Sequence, residues 1–128
     1  MFLPIIRNWP PARKLDARPV NLAFETLALR TLCECQSKAE RALGIKPAAR
    51  LRERLADIRA AETVTDLIAG KPREIEGGRH RHYAVDLANG YRLVFCANHN
   101  RIPVNETDRV DWSRVTRVKI LRIEVGHG

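Results

Sequence analysis

The sequence predicts an α+β domain in which an N-terminal strand and several helices pack on one face of a mostly antiparallel, twisted sheet. Three observations carry this. A short alternating stretch, Val20-Asn21-Leu22-Ala23-Phe24, is followed by helical rather than strand spacing as far as about residue 60. The second half then changes character, with strand patterns on both sides of Asn89-Gly90. Residues 115–125, with apolar residues recurring at strand spacing apart from one break in phase, supply a final strand. One strand, then helices, then three or four strands is the order of an α+β fold.

Each element has its local reason. Residues 1–18 contain Pro4, Pro10 and Pro11 among Arg7, Arg13, Lys14 and Arg18, so they read as an irregular, basic extension that contributes little to a core. Residues 19–128 form one domain. After the first strand, residues 25–35 place Leu29, Leu32 and Cys33 on one side of a helix. Ser37-Lys38-Ala39-Glu40 matches a capping box and Leu43-Gly44 a stop, which predicts a short second helix. Pro47 suits a first turn, and Leu51, Leu55 and Ile58 follow at i, i+4, i+7, the stripe of an amphipathic third helix. Its other faces carry Arg50, Arg52, Arg54 and Arg59 with Glu53 and Asp57, the pattern of a solvated helix with ion pairs one turn apart or else of a nucleic-acid-binding face. Residues 63–69 suggest one more helical turn.

Residues 73–76 read as a strand, with Gly77-Gly78 as a turn. Tyr83, Val85 and Leu87 alternate, and residues 91–96 are apolar except for Arg92. Asn-Gly between two such runs is the strongest short hairpin signal. Residues 98–113, with Pro103, form a long polar loop. In the last strand Val118 and Ile120 share one phase while Leu121, Ile123 and Val125 share the other. Either that strand is buried on both faces, or a bulge shifts its phase near Ile120.

Charge narrows the function. The 128 residues carry 23 Lys and Arg against 15 Asp and Glu, a net charge of +8, with a pI near 10.1. Such an excess in a small domain points to a polyanionic partner, a nucleic acid or an acidic protein. Three cysteines form neither a disulfide framework nor a zinc pattern and read as reduced thiols of a cytoplasmic protein. The apolar N-terminal run is too short for a signal segment or a membrane span. No metal or cofactor is implied.

Longer motifs sharpen the expectation. Leu51-Arg52-Glu53-Arg54-Leu55-Ala56-Asp57-Ile58-Arg59-Ala60-Ala61-Glu62-Thr63 resembles the helix and following turn of HigB-like proteins. Gly70-Lys71-Pro72-Arg73-Glu74-Ile75-Glu76-Gly77 is similar to their first hairpin, and Asn89-Gly90-Tyr91-Arg92-Leu93-Val94-Phe95 to the strand carrying a key arginine. Asp111-Trp112-Ser113-Arg114-Val115-Thr116, leading to Ile120-Leu121-Arg122-Ile123, resembles the final strand of longer members. Over residues 20–127 the chain thus resembles the RelE/HigB branch of the RelE/ParE toxin superfamily.

That resemblance implies a RelE-like fold and the toxin role of a type II toxin–antitoxin pair. It implies an mRNA interferase, a metal-independent endoribonuclease that acts on mRNA at the ribosome. A cognate antitoxin, a helix-turn-helix protein, would neutralise it. Two other readings share the fold: a non-catalytic RNA- or protein-binding module, and a ParE-like gyrase inhibitor.

Metal-free RNA cleavage needs a base for the 2′-hydroxyl, cations for the crowded phosphate and an acid for the leaving 5′-oxygen. Arg92 matches the family's strand arginine and is the lone charge in its apolar strand, suiting it to phosphate binding or to a structural ion pair. His127 matches the family's C-terminal histidine, an acid or base, or else a frayed chain end. Val125 and Gly126 stand where Asp-Tyr is usual, and Glu76 stands where many relatives carry lysine. Arg73, Arg79, His80, Arg81 and His82 crowd one hairpin, forming an RNA-contacting patch or a solvated edge.

Overall fold

A computed structural model describes residues 20–126. The basic segment 1–18 and His127 lie outside the described residues. Strand β1 (Asn21–Phe24) leads to three helices, α1 (Leu27–Glu34), α2 (Gln36–Leu43) and α3 (Ile45–Ala60). Four strands follow: β2 (Arg73–Ile75), β3 (His82–Asp86), β4 (Tyr91–Ala97) and β5 (Arg117–Val125). They form one five-stranded sheet in the order β1-β5-β4-β3-β2. Only β1 and β5 run parallel; the other three pairings are antiparallel. The α+β class read from the sequence is the one observed. No helix among the described residues is long and apolar enough to cross a membrane.

Of the three helices, α1 alone begins at a side-chain cap. Thr26 caps α1, its Oγ1 accepting from the Leu29 N–H at 3.0 Å. The capping box expected at Ser37–Glu40 does not form. The N-cap of α2 is Cys35, which makes no side-chain cap bond. Ser37 is therefore already helical, and Glu40 accepts from the Gln36 side chain at 2.9 Å. In α3, Leu51, Leu55 and Ile58 are at most 2% exposed, as their spacing requires. Beyond α3 the expected helical turn is a single 3₁₀ turn, Val64–Asp66, with the Asp66 carboxylate accepting from the Glu62 and Thr63 N–H groups.

The Asn89-Gly90 hairpin holds. Asn89 and Gly90 have φ of 58° and 83°, the two left-handed central residues of a type I′ turn. The phase break in the last strand is a bulge. Val94 pairs with Arg122, but the next residue, Phe95, pairs with Ile120, which leaves Leu121 unopposed on β4. Val118 and Ile120 therefore face the core before the bulge, and Ile123 packs against it after. The loop expected at 98–113 is ordered by a bridge between Val104 and Val110 and by a 3₁₀ turn, Trp112–Arg114.

The core lies on one side of the sheet. Val85, Leu93, Phe95, Ala97, Val118 and Ile120 pack with Ala48, Leu51, Leu55 and Ile58 of α3 and with Trp112 and Val115. Strand alternation sends the intervening side chains to the opposite, helix-free face.

Candidate nucleic-acid interface

The register fixes what the helix-free face displays. One row across the strands reads Arg73, Ala84, Val94, Arg122. The next reads Asp86, Arg92, Glu124. Nearer β1, Cys96 pairs with Lys119 and Lys119 with Ala23, and Arg117 lies opposite Asn21. Arg73, Arg92, Arg117, Lys119 and Arg122 therefore share a face, with His82 beside them. Ala84 and Val94, both 0% exposed, form the small apolar floor between.

The carboxylates on this face are held by those cations. Arg92, 20% exposed, donates from Nε to Glu124 Oε2 at 2.7 Å. Arg122 donates from Nε to the other oxygen, Oε1, at 2.5 Å. Hydrogen bonds from Arg122 and then Arg92 hold the Glu124 carboxyl below its usual range against the opposing effect of burial. Arg73 donates to Asp86 at 3.0 Å and to the Lys71 carbonyl at 2.8 Å. Lys119 meets Glu25 at 3.0 Å. Arg92 is thus in an ion pair, and it also belongs to the cationic surface.

The hairpin residues expected to act together divide between the two sides of the sheet. Arg73 and His82 belong to the helix-free face. Arg81 turns the other way and meets Glu74 at 3.0 Å. Arg79 and His80 lie in the connection between β2 and β3, Arg79 exposed and His80 half-buried, and Glu76 is exposed at its start. Burial, then the nearby Arg122 charge, lowers the His82 pKa, so its ring is neutral at pH 7 and able to take a proton. Its Nδ1 has no hydrogen-bond partner among the described residues.

Gly126 closes one end of the site. A Cβ there would stand 2.7 Å from Arg92 Cδ, so any larger residue would require the arginine side chain to shift. Its N–H donates to the Gly90 carbonyl at 2.8 Å, tying the end of β5 to the hairpin turn. Lys71, Arg73, Asp86, Tyr91 and Gly126 line a cavity of about 280 Å³ beside it. Comparison with family models, with curated proteins and with solved structures returns no match for this chain.

Sequence reasoning missed three residues that shape the site. Arg122 and Glu124 were readable only as the polar positions of β5, and only once the bulge at Leu121 is known. Glu74 is the third. It accepts from Trp112 Nε1 at 2.7 Å and from Arg109 at 3.0 Å, besides meeting Arg81, and so fastens the 98–116 loop to β2. Nothing in its local sequence marks it. Among the described residues no group of three or more His, Cys, Asp or Glu side chains is placed to hold a metal ion.

Proposed function

We propose that the protein has a RelE-like fold and is the toxin of a type II toxin–antitoxin pair. On this reading it is a ribosome-dependent mRNA endonuclease that a helix-turn-helix antitoxin neutralises in the cytoplasm. The observation that carries the proposal is the helix-free face, where Arg73, Arg92, Arg117, Lys119 and Arg122 lie together in a chain of net charge +8. A helix-free sheet face with spaced guanidinium groups suits a phosphodiester backbone, because each planar fork can grip two phosphate oxygens.

In such a reaction the 2′-oxygen attacks the adjacent phosphorus as a base removes its proton. The P–O5′ bond breaks, leaving a 2′,3′-cyclic phosphate and a 5′-hydroxyl. On this reading Arg92 stabilises charge on the phosphate. His82, neutral at pH 7, has the acid–base character the proton transfers need, and His127 keeps the role implied by the family resemblance.

One observation favours a second reading, a non-catalytic RNA-binding module: Arg92 is already engaged by Glu124. Expression without antitoxin, scored for growth and for transcript cleavage on ribosomes, separates the two. Growth arrest with cleaved transcripts supports the nuclease. RNA binding without cleavage supports the module. Arrest with intact transcripts and DNA damage would indicate a gyrase inhibitor and overturn both.

A further inference from the structure

Glu124 lies among the cations of this face and is held by two of them. Each of its carboxylate oxygens takes a different guanidinium, Oε2 that of Arg92 and Oε1 that of Arg122. A phosphodiester also presents two anionic oxygens, and guanidinium groups are donors whose geometry suits them. The arrangement exists because of the bulge at Leu121. Without the extra residue, Arg122 and Glu124 would take the opposite phase and point to the core.

We propose that Arg92 and Arg122 form a two-arginine clip for one RNA phosphodiester, and that Glu124 is its internal occupant, which the phosphate must displace. The proposal rests on the RNA reading above and adds to it a residue that sets affinity.

Exposure makes the exchange feasible. The side chains of Arg92, Glu124 and Arg122 are 20%, 28% and 43% exposed, so the cluster opens to solvent. A fully buried pair would resist opening, since separation would leave uncompensated charges, whereas partly exposed pairs contribute little net stability. Glu124 remains ionised across the neutral range, so it is a standing competitor. It is tethered beside the clip, and an incoming anion therefore has to bring further contacts to win. A chain of phosphates can engage Arg73, Lys119 and Arg117 at the same time. A single small anion cannot.

The test is Glu124→Gln, which keeps shape and removes charge. Binding of a short, fluorescently labelled, single-stranded oligoribonucleotide is measured by anisotropy across a salt series. The variant should bind about tenfold tighter, the scale of one gained charge-assisted contact. Its log–log salt slope should steepen by about 0.7, the single-strand value for one further phosphate contact. Glu106→Gln makes the same charge change on the exposed 98–116 loop and should leave the slope unaltered. Adding Arg122→Ala to Glu124→Gln should abolish the gain.

If Glu124→Gln behaves like Glu106→Gln while the parent protein binds RNA, the clip is overturned and the RNA reading stands. Binding by the variant where the parent binds nothing supports the clip. RNA binding by neither overturns both. A measurement on the unaltered protein guards against a misfolded variant. Titration with the same RNA should shift the side-chain Nε–H resonances of Arg92 and Arg122 together with the Glu124 carboxyl carbon. A Glu124 carboxyl that does not respond to bound RNA overturns the proposal.

Discussion

At the scale of single residues, Arg92 decides between nuclease and binding module. Removing it leaves Glu124 still held by Arg122, so the face keeps a partner for its carboxylate and the fold should survive. If Arg92 stabilises the transition state, Arg92→Ala should lower transcript cleavage by about 100-fold to 1,000-fold, the scale seen when one donor to a developing anion is lost. Arg92→Lys should recover little, because an ammonium has no planar fork. Ribosome-dependent cleavage in vitro checks both, and full cleavage by Arg92→Ala ends the catalytic assignment.

His99 makes a separate claim at the same scale. Its Nε2 accepts from the N–H groups of Thr116 and Arg117 at 3.0 and 3.2 Å, fixing the start of β5. A protonated ring cannot accept there. Burial first, then the Arg117 charge, lowers its folded pKa. The unfolded chain therefore binds the proton more readily, and stability falls as pH drops below the unfolded histidine value of about 6.5. His82 is lowered too and adds in the same direction. His99→Gln should flatten part of the decline in melting temperature between about pH 7 and 5; an unchanged pH profile would mean His99 contributes nothing to it.

At the scale of elements, the well-patterned pieces were legible and the junctions were not. The stripe of α3 and the Asn89-Gly90 turn follow from periodicity and from the need for left-handed residues, both local properties. The capping box at Ser37 was misplaced because α1 and α2 abut at Cys35, so the second helix begins before its expected cap. The phase break in β5 could be seen, but choosing a bulge required the register against β4.

Stability should follow the same division. Leu55→Ala removes a side chain only 2% exposed and should cost about 2–5 kcal/mol. Glu74→Ala leaves the part-buried Trp112 indole N–H without its acceptor and releases Arg109 and Arg81, at a cost of about 1–3 kcal/mol. Glu74→Gln keeps an acceptor and should cost less. Urea denaturation orders the three, and equal losses for the two Glu74 variants would show that the indole bond matters little.

At the scale of the whole molecule, the arrangement that builds the cationic face was invisible in the sequence because it is made by distant pairings. The parallel joining of β1 to β5 brings residues 21–24 against 117–120. Arg92 meets Glu124 across 32 positions and Arg73 meets Asp86 across 13. Composition could announce the excess of positive charge but not that its central members would be shared with carboxylates. That sharing bears on how binding responds to salt. Each phosphate contact releases condensed counterions from the nucleic acid, and for single strands the slope of log affinity against log salt is about −0.7 per contact. A count from sequence would assign a contact to every cation on the face. The structure predicts a shallower slope, since Arg73, Arg92, Arg122 and Lys119 each have a carboxylate partner to lose. RNA affinity should therefore fall with salt, with a slope of two to three contacts rather than five, about −1.4 to −2.1. Titrations between about 50 and 200 mM salt measure it. A slope near zero would remove the electrostatic basis for RNA binding, and a slope for all five cations would mean that the carboxylates are not in competition at all.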